Sequence, residues 1–403
     1  MKIDIPQDWN FTKLGELGQF LKGKGIAKSE VLEDGIPCVR YGEIYTNHND
    51  YIKAFTSFTT QESANQSTRL EYGDILFAGS GETLEDIGKS VAFVDEFEAY
   101  SGGDIIILRG HNQDPKFLGF LLNTDFVSRQ TFQLGQGHSV VHIYSSGLKN
   151  VKIPLPPLHE QQKIATILST WDKALDKLTQ LIAAKEQRKK GLMQQLLSSK
   201  KRFAGFKDEW KEVKLGDLAE IDKNSLKSNT DPKYFFKYIS LSDVNEGTIC
   251  ENLTEYNFSN APSRAKRIVK SNSVIMATVR PNLQAFALVK DSKDIIVSTG
   301  FAVIDHKENL SPYYLIQYLF SKHITNQLEA LIVGTNYPAI NSSDVRNLKL
   351  KLPNIQEQQK IASVLSAADK EIELLKIELE RLQQQKKGLM QVLLTGEVRV
   401  KIN

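Results

Sequence analysis

Cysteine is almost absent from this chain: Cys38 and Cys250 are the only two in 403 residues, far apart and in no CxxC or Cys/His cluster. That excludes a disulfide framework and a thiolate zinc site, and it predicts a reducing compartment, the cytoplasm. Long apolar runs are missing too, with nowhere eighteen consecutive apolar residues, so no membrane span is expected. The polar start from Met1 to Asn10, carrying Asp4 and Asp8, predicts no signal peptide. Nor is there an excess of one charge: 51 Lys and Arg face 48 Asp and Glu, a balance of +3. A protein that coats polyanions indiscriminately is excluded, and any nucleic-acid contact must be local.

Catalytic signatures are equally scarce. Gly18 to Gly25 reads GQFLKGKG, which has the glycine and lysine spacing of a phosphate loop but puts Gly25 where the magnesium-binding Ser or Thr belongs. His138 and His142 are four apart, yet Val140 and Val141 between them favour a strand and no Glu follows His138, so a zincin helix is not expected. Asp208, Glu212 and Lys214 imitate a nuclease cluster, but the matching stretch of the other half, with Asn10 and Lys13, carries no such pair, and a surface run is expected. There is no GxSxG elbow, and Pro156-Pro157 lies between leucines rather than in the [DN]PP[YFW] signature of amino-methylating enzymes. No catalytic, cofactor-binding or metal-binding residue is expected in this chain.

What the chain does have is a globular composition, 41% hydrophobic and 25% charged, at a length that calls for at least two domains. It also has an internal repeat. A shift of 197 positions lays Glu160-Gln161-Gln162-Lys163-Ile164-Ala165 on Glu357-Gln358-Gln359-Lys360-Ile361-Ala362, and Lys189 to Gln194 on Lys386 to Gln391, with 20 identities in the 38 positions from Glu160 to Leu197. Upstream the match weakens: Pro156 falls on Pro353, Ser145-Ser146 on Ser342-Ser343. At a shift of 201, Trp9 meets Trp210 and Lys13-Leu14-Gly15 meets Lys214-Leu215-Gly216. One unit, a divergent head followed by a similar tail, is written twice.

The similar segments read as long helices. Ile164, Leu168, Trp171, Leu175, Leu178 and Ile182 recur at alternating steps of four and three, as do Ile361, Leu365, Ala368, Ile372, Leu375, Leu379 and Leu382, with Lys386 the single charged residue in phase. Prolines stand only before each start. At about 1.5 Å per residue, 38 helical residues extend roughly 57 Å. The shared phase predicts that the two seams close on each other as an antiparallel coiled coil about a pseudo-twofold axis, a rod with a head at each end. Leu181, Leu374 and Ile377 are left on the outer faces as candidate partner surface.

The divergent segments have shorter periods. Asp74 to Phe77, Val91 to Val94, Ile105 to Leu108, Val274 to Thr278, Ile295 to Ser298 and Ala302 to Ile304 predict strands, and Pro115 to Phe132 and Pro312 to Ile332 predict helical stretches. The fold class is therefore α/β (α+β), with mixed heads at 1–150 and 202–347 and repeated helices at 151–201 and 348–403, the last with a C-terminal tail. Residues 1–150 carry a net charge of −7 and 151–206 one of +7, so loops rather than overall charge must carry a nucleic-acid argument. Six loops carry hydrogen-bonding side chains, four of them together with glycine: Lys22 to Gly25, Gly79 to Thr83, Gly135 to Ser139 and Gly334 to Tyr337, besides Ser263 to Arg267 and Arg280 to Asn282. Such side chains pair with base edges, and glycine lets backbone approach phosphate.

Two divergent heads, each followed by LPPLHEQQKIATILS (Leu155 to Ser169) or LPNIQEQQKIASVLS (Leu352 to Ser366) and ending in KKGLMQ, make the whole chain resemble the DNA specificity subunit of bacterial type I restriction-modification systems. The resemblance implies a non-catalytic subunit whose two target recognition domains each read one half of an asymmetric, bipartite sequence in double-stranded DNA, with the helix pair as ruler. It implies two modification subunits that methylate adenine with S-adenosylmethionine, and two restriction subunits using ATP and magnesium where cleavage is added. By the same resemblance the DNA-contacting residues are Lys22, Lys24, Ser80, Gln136, His138 and Ser139 in the first head, and Lys266, Arg267, Arg280, Asn282, Thr335, Asn336 and Tyr337 in the second. The alternative from another class is a coiled-coil assembly adaptor whose heads bind proteins.

Overall fold

The computed structural model describes residues 4–137, 141–332 and 338–401. The chain divides into two compact units, Met1–Leu178 with Glu378–Asn403, and Thr179–Ile377.

In the first unit the main sheet has the order Gln19–Lys22, Ile105–Arg109, Ile75–Ala78, Ser90–Ala92, all antiparallel. Ile75 to Ala78 is buried throughout, because side chains alternate across a strand and both faces are covered. Ile75, Phe77, Ile106 and Leu108 enter the core under the helix Pro115–Leu122, whereas Leu76, Ala78, Ile105 and Ile107 enter a second core with Val39, Ile44 and Phe93. A further sheet, Ser57–Thr59, Ile36–Val39, Tyr100–Ser101, Thr68–Arg69, includes one parallel pair.

The second unit repeats this plan. Its main sheet runs Ala219–Ile221, Phe301–His306, Ser273–Ala277, Phe286–Val289. Val274, Met276, Ala302 and Ile304 face one core; Ile275, Ala277, Phe301 and Val303 face the other. Its accessory sheet, Thr254–Asn257, Phe235–Ile239, Ile295–Ser298, Ala265–Ile268, again holds one parallel pair. In each unit a two-stranded ribbon ties the start of the head to the strand before the long helix: Asn10–Lys13 with Lys152–Leu155, and Lys211–Lys214 with Lys349–Leu352.

Two expectations need refinement. The stretch from Pro115 to Phe132 is two helices, Pro115–Leu122 and Asp125–Phe132. Asn123 Nδ2 donates to Gly119 O at 3.0 Å and to Ser90 O at 2.8 Å, and Thr124 Oγ1 donates to Leu121 O at 2.7 Å, occupying carbonyls that a continuing helix needs. The stretch from Pro312 to Ile332 likewise divides into Pro312–Leu319 and Lys322–Ile332, with Ser321 at the break.

The long helices are Leu158–Leu196 and Ile355–Leu393. Within the first unit Ile164, Ala165 and Leu168 share a core with Leu389, Met390 and Leu393; within the second, Leu192, Met193 and Leu196 share one with Ile361, Ala362 and Leu365. Numbers rise along one helix as they fall along the other, so the pairing is antiparallel. Ile164, Leu168, Ile182, Ile361, Leu365 and Ile372 are buried and Trp171, Leu175, Leu178, Leu375, Leu379 and Leu382 half-buried, as the heptad phase requires. Leu181, Leu374 and Ile377 are exposed.

Candidate nucleic-acid interface

Each head is anchored to the start of its long helix by the repeated Glu-Gln dipeptide. Glu160, Gln161, Glu357 and Gln358 are wholly buried, while the Gln and Lys that follow each pair are exposed. Trp9 Nε1 donates to Glu160 Oε2 at 3.1 Å, and Trp210 Nε1 donates to Glu357 Oε2 at 3.1 Å. Gln161 accepts from Asp114 N at 3.0 Å and donates to Gln113 Oε1 and Pro156 O; Gln358 accepts from Ser311 N at 2.9 Å and donates to Asn309 O and Pro353 O. The amides thus satisfy backbone groups at the start of the helices Pro115–Leu122 and Pro312–Leu319, and no buried polar group of the motif is left without a partner.

On this support the first head gathers several of the loop residues. Lys22, Ser80 and His142 line one pocket of about 200 Å³, together with Tyr144 and Ser145. Ser80 is buried, and its hydroxyl is 2.9 Å from His142 Nδ1. The strand Ser80–Gly81 pairs with Val141–His142, and Gln136 exchanges backbone hydrogen bonds with His142 at 3.0 and 2.8 Å. Lys22, Lys24 and Gln136 are exposed. His138 and Ser139 lie outside the described residues.

The second head uses its loops differently. Arg280 is exposed in a left-handed conformation, φ 49°, immediately before the turn Pro281–Leu283, and its backbone N–H donates to Pro338 O at 2.8 Å. Asn282 beside it is exposed, and so is Leu283. Lys266 and Arg267 stand elsewhere, on the accessory-sheet strand Ala265–Ile268. Lys266 Nζ lies 5.0 Å above the Phe258 ring, and the Arg267 guanidinium is held 2.5 Å from Asp222 Oδ1, which also accepts from Val303 N, while Asp222 Oδ2 accepts from Ser342 Oγ. Thr335, Asn336 and Tyr337 lie outside the described residues. Asp208 accepts from Asn354 and Glu212 pairs with Lys349, so the supposed nuclease acids serve surface contacts.

Burial perturbs several titratable groups of the first head. Burial raises the Asp50 carboxyl above its ordinary range, against the pull of Lys386. Burial lowers the imidazoles of His48 and His111. Burial also pushes the Tyr51 phenol up to about 12. Among the described residues no three His, Cys, Asp or Glu side chains gather as a metal ion would need, and no helix is long and apolar enough to cross a membrane.

The model of the type I restriction modification DNA specificity domain matches this chain twice, over residues 6–186 and 207–384. The chain belongs to that family. A specificity subunit of Methanocaldococcus jannaschii, the type I restriction enzyme MjaVIII subunit, is 25% identical over 429 residues, covering 99% of this chain and 95% of the relative. A second from the same organism, the putative MjaX specificity subunit, is 28% identical over 425 residues with the same coverage of 99% and 95%. The fold matches the crystal structure of the type I S subunit from M. genitalium with a TM-score of 0.61 at 16% identity, covering 100% of this chain and 99% of the other. A chain from a structure of type I restriction-modification complex assembly gives 0.58 at 18% identity, covering 98% and 100%. As a DNA specificity subunit of a type I restriction-modification system, this chain supplies sequence recognition and not catalysis. It binds DNA and assembles with other subunits of such a system.

Sequence reasoning placed neither His142 nor Tyr144 among the DNA-contacting candidates, although both line the pocket with Lys22 and Ser80.

Proposed function

We propose that each head reads one half of an asymmetric, bipartite target in double-stranded DNA, that the helix pair fixes the length of the unread gap, and that the repeated helices dock two modification subunits. The observation that carries this reading is the doubled unit itself, one head with its own Glu-Gln anchorage, occurring twice in a single chain with divergent loop residues. Two different heads call for two different half-sites, and a helix segment written twice offers the same surface twice, which suits two copies of one partner. In the first head the loop residues to bet on are Lys22, Lys24, Ser80, Gln136, His138 and Ser139; in the second they are Arg280, Asn282, Thr335, Asn336 and Tyr337, with Lys266 and Arg267 on the accessory strand.

S-adenosylmethionine belongs in this reading to the modification subunits, which methylate adenine. ATP and magnesium belong in the same reading to two restriction subunits in complexes that also cleave. The complex works in the cytoplasm. A protein-binding adaptor is not favoured, because the family match runs through both heads as well as both helices. The test is methylation mapping with the complete modification complex carrying Arg280→Ala. One half of a split motif should relax while the other stays intact.

A further inference from the structure

Glu160 and Glu357 are each gripped by an arginine that follows the opposite long helix in sequence. Arg399, past the second helix, donates from Nε to Glu160 Oε1 at 2.7 Å and from Nη2 to Glu160 Oε2 at 2.8 Å. It also holds Asp8, from Nη1 at 2.8 Å and Nη2 at 2.7 Å. Arg202, past the first helix, donates to Glu357 from Nε at 2.9 Å and Nη2 at 2.7 Å. The two arginines are 197 positions apart, as are the two glutamates, and each glutamate also accepts the indole N–H of its own head's tryptophan, Trp9 or Trp210. The same three-residue clasp therefore exists once per unit, and all members of each clasp lie in one unit.

The clasp is placed where it can set a head's orientation. Trp9 immediately precedes the ribbon strand Asn10–Lys13 and Trp210 immediately precedes Lys211–Lys214, while the glutamates sit in the first turn of the long helices. Both glutamates are wholly buried, so a lost arginine leaves a buried carboxylate with its indole donor alone. Around Arg399 the C-terminal tail is seated by more than charge: Gly396 takes φ 76° against Pro6 and Trp9, Val398 N donates to Val392 O at 3.1 Å, and Val400 packs on the first unit's core.

We infer that Arg399 and Arg202 are positioning residues for DNA reading, each governing the half-site read by the unit in which it stands, so that the C-terminal tail controls recognition by the first head. The inference rests on the two-head reading above. Among the described residues each arginine bonds to its clasp and not to a candidate DNA loop; each acts by fixing the angle at which its head's ribbon leaves the helix pair. A planar fork held by two or four charge-assisted bonds tolerates little rotation, which lysine cannot imitate.

The experiment is methylation mapping with the intact modification complex carrying wild-type chain, Arg399→Ala, Arg202→Ala or Arg399→Lys, combined with hydrogen-exchange measurement on the same complexes. Arg399→Ala should lower discrimination in one half of the motif by about tenfold or more, the size of one or two charge-assisted hydrogen bonds, and leave the other half as in wild type. Arg202→Ala should do the reverse, and Arg399→Lys should fall between. Exchange should rise around Trp9 to Leu14 in the first variant and around Trp210 to Leu215 in the second. Equal loss in both halves, or unchanged discrimination in complexes whose exchange shows the clasp released, overturns the inference. A wild-type complex that methylates without a split motif would instead overturn the two-head reading on which it stands.

Discussion

Lys386 Nζ stands 2.9 Å from Asp172 Oδ1, one long helix to the other, and the repeat makes the same pair again between Lys189 and Asp369. Both lysines and both aspartates are related by 197 positions. The charged residue that interrupts the second heptad seam is thus the partner of an aspartate on the facing helix. In the first unit the lysine is further enclosed: Asp50 Oδ2 lies 3.3 Å away, and the Phe120 ring 5.0 Å below. In the second unit Asp369 instead accepts from Gln317, which stands where Phe120 stands in the repeat.

Lys386→Met should destabilise the first unit by about 3 kcal/mol, because it leaves buried Asp50 without its cation and Asp172 with only Lys53, 3.6 Å away. Adding Asp50→Asn and Asp172→Asn should recover most of that loss. Urea denaturation of the three variants checks both statements.

The first head should be acid-sensitive. His48 is buried and His111 half-buried, and desolvation holds both imidazoles below their ordinary value of 6.5 in the folded state. The neutral rings therefore contribute stability that is present above that value and lost as pH falls through the lower folded-state values, because the unfolded chain binds protons more readily. Melting temperature measured from pH 8 to pH 5 should fall, and His48→Gln with His111→Gln should flatten the fall.

Gly191 and Gly388 occupy helix interiors, and a Cβ added at either meets nothing within 4 Å. Replacing both by alanine should stabilise the isolated chain by about 1–2 kcal/mol in total. Nothing in the chain itself requires glycine there, so the same change should weaken assembly with the modification subunit, measured by titration of one against the other.

The ruler makes a length prediction. A heptad inserted after Leu178 and another after Leu375 preserves the seam phase and adds about 10 Å of helix, or about three base pairs of gap. Methylation mapping should show both half-sites unchanged and the gap longer; an unchanged gap contradicts the ruler.

Much of this architecture was legible because period and repeat are local signals. Ile164 to Ile182 and Ile361 to Leu382 keep one heptad phase, and the structure buries or half-buries every one of the seam residues. In the accessory sheets only Ile295–Ser298 of the second head was legible; in the first head Tyr100–Ser101 and Thr68–Arg69 are two residues each, too short for any period to register. The helix break at Asn123 and Thr124 depends on where two side chains find carbonyls, including that of Ser90 on a neighbouring strand. In the candidate interface, residue type pointed to Lys22, Ser80 and Gln136, which converge around His142. Residue type alone did not distinguish an exposed Arg280 from an Arg267 whose guanidinium is held by Asp222.

The most direct test of the central claim is long-read detection of N6-methyladenine in DNA from cells carrying this chain with its matching modification subunit, against cells carrying the modification subunit alone. The account predicts a split motif with a fixed gap that appears only with the chain. Methylation by the complete complex with no sequence preference would contradict it.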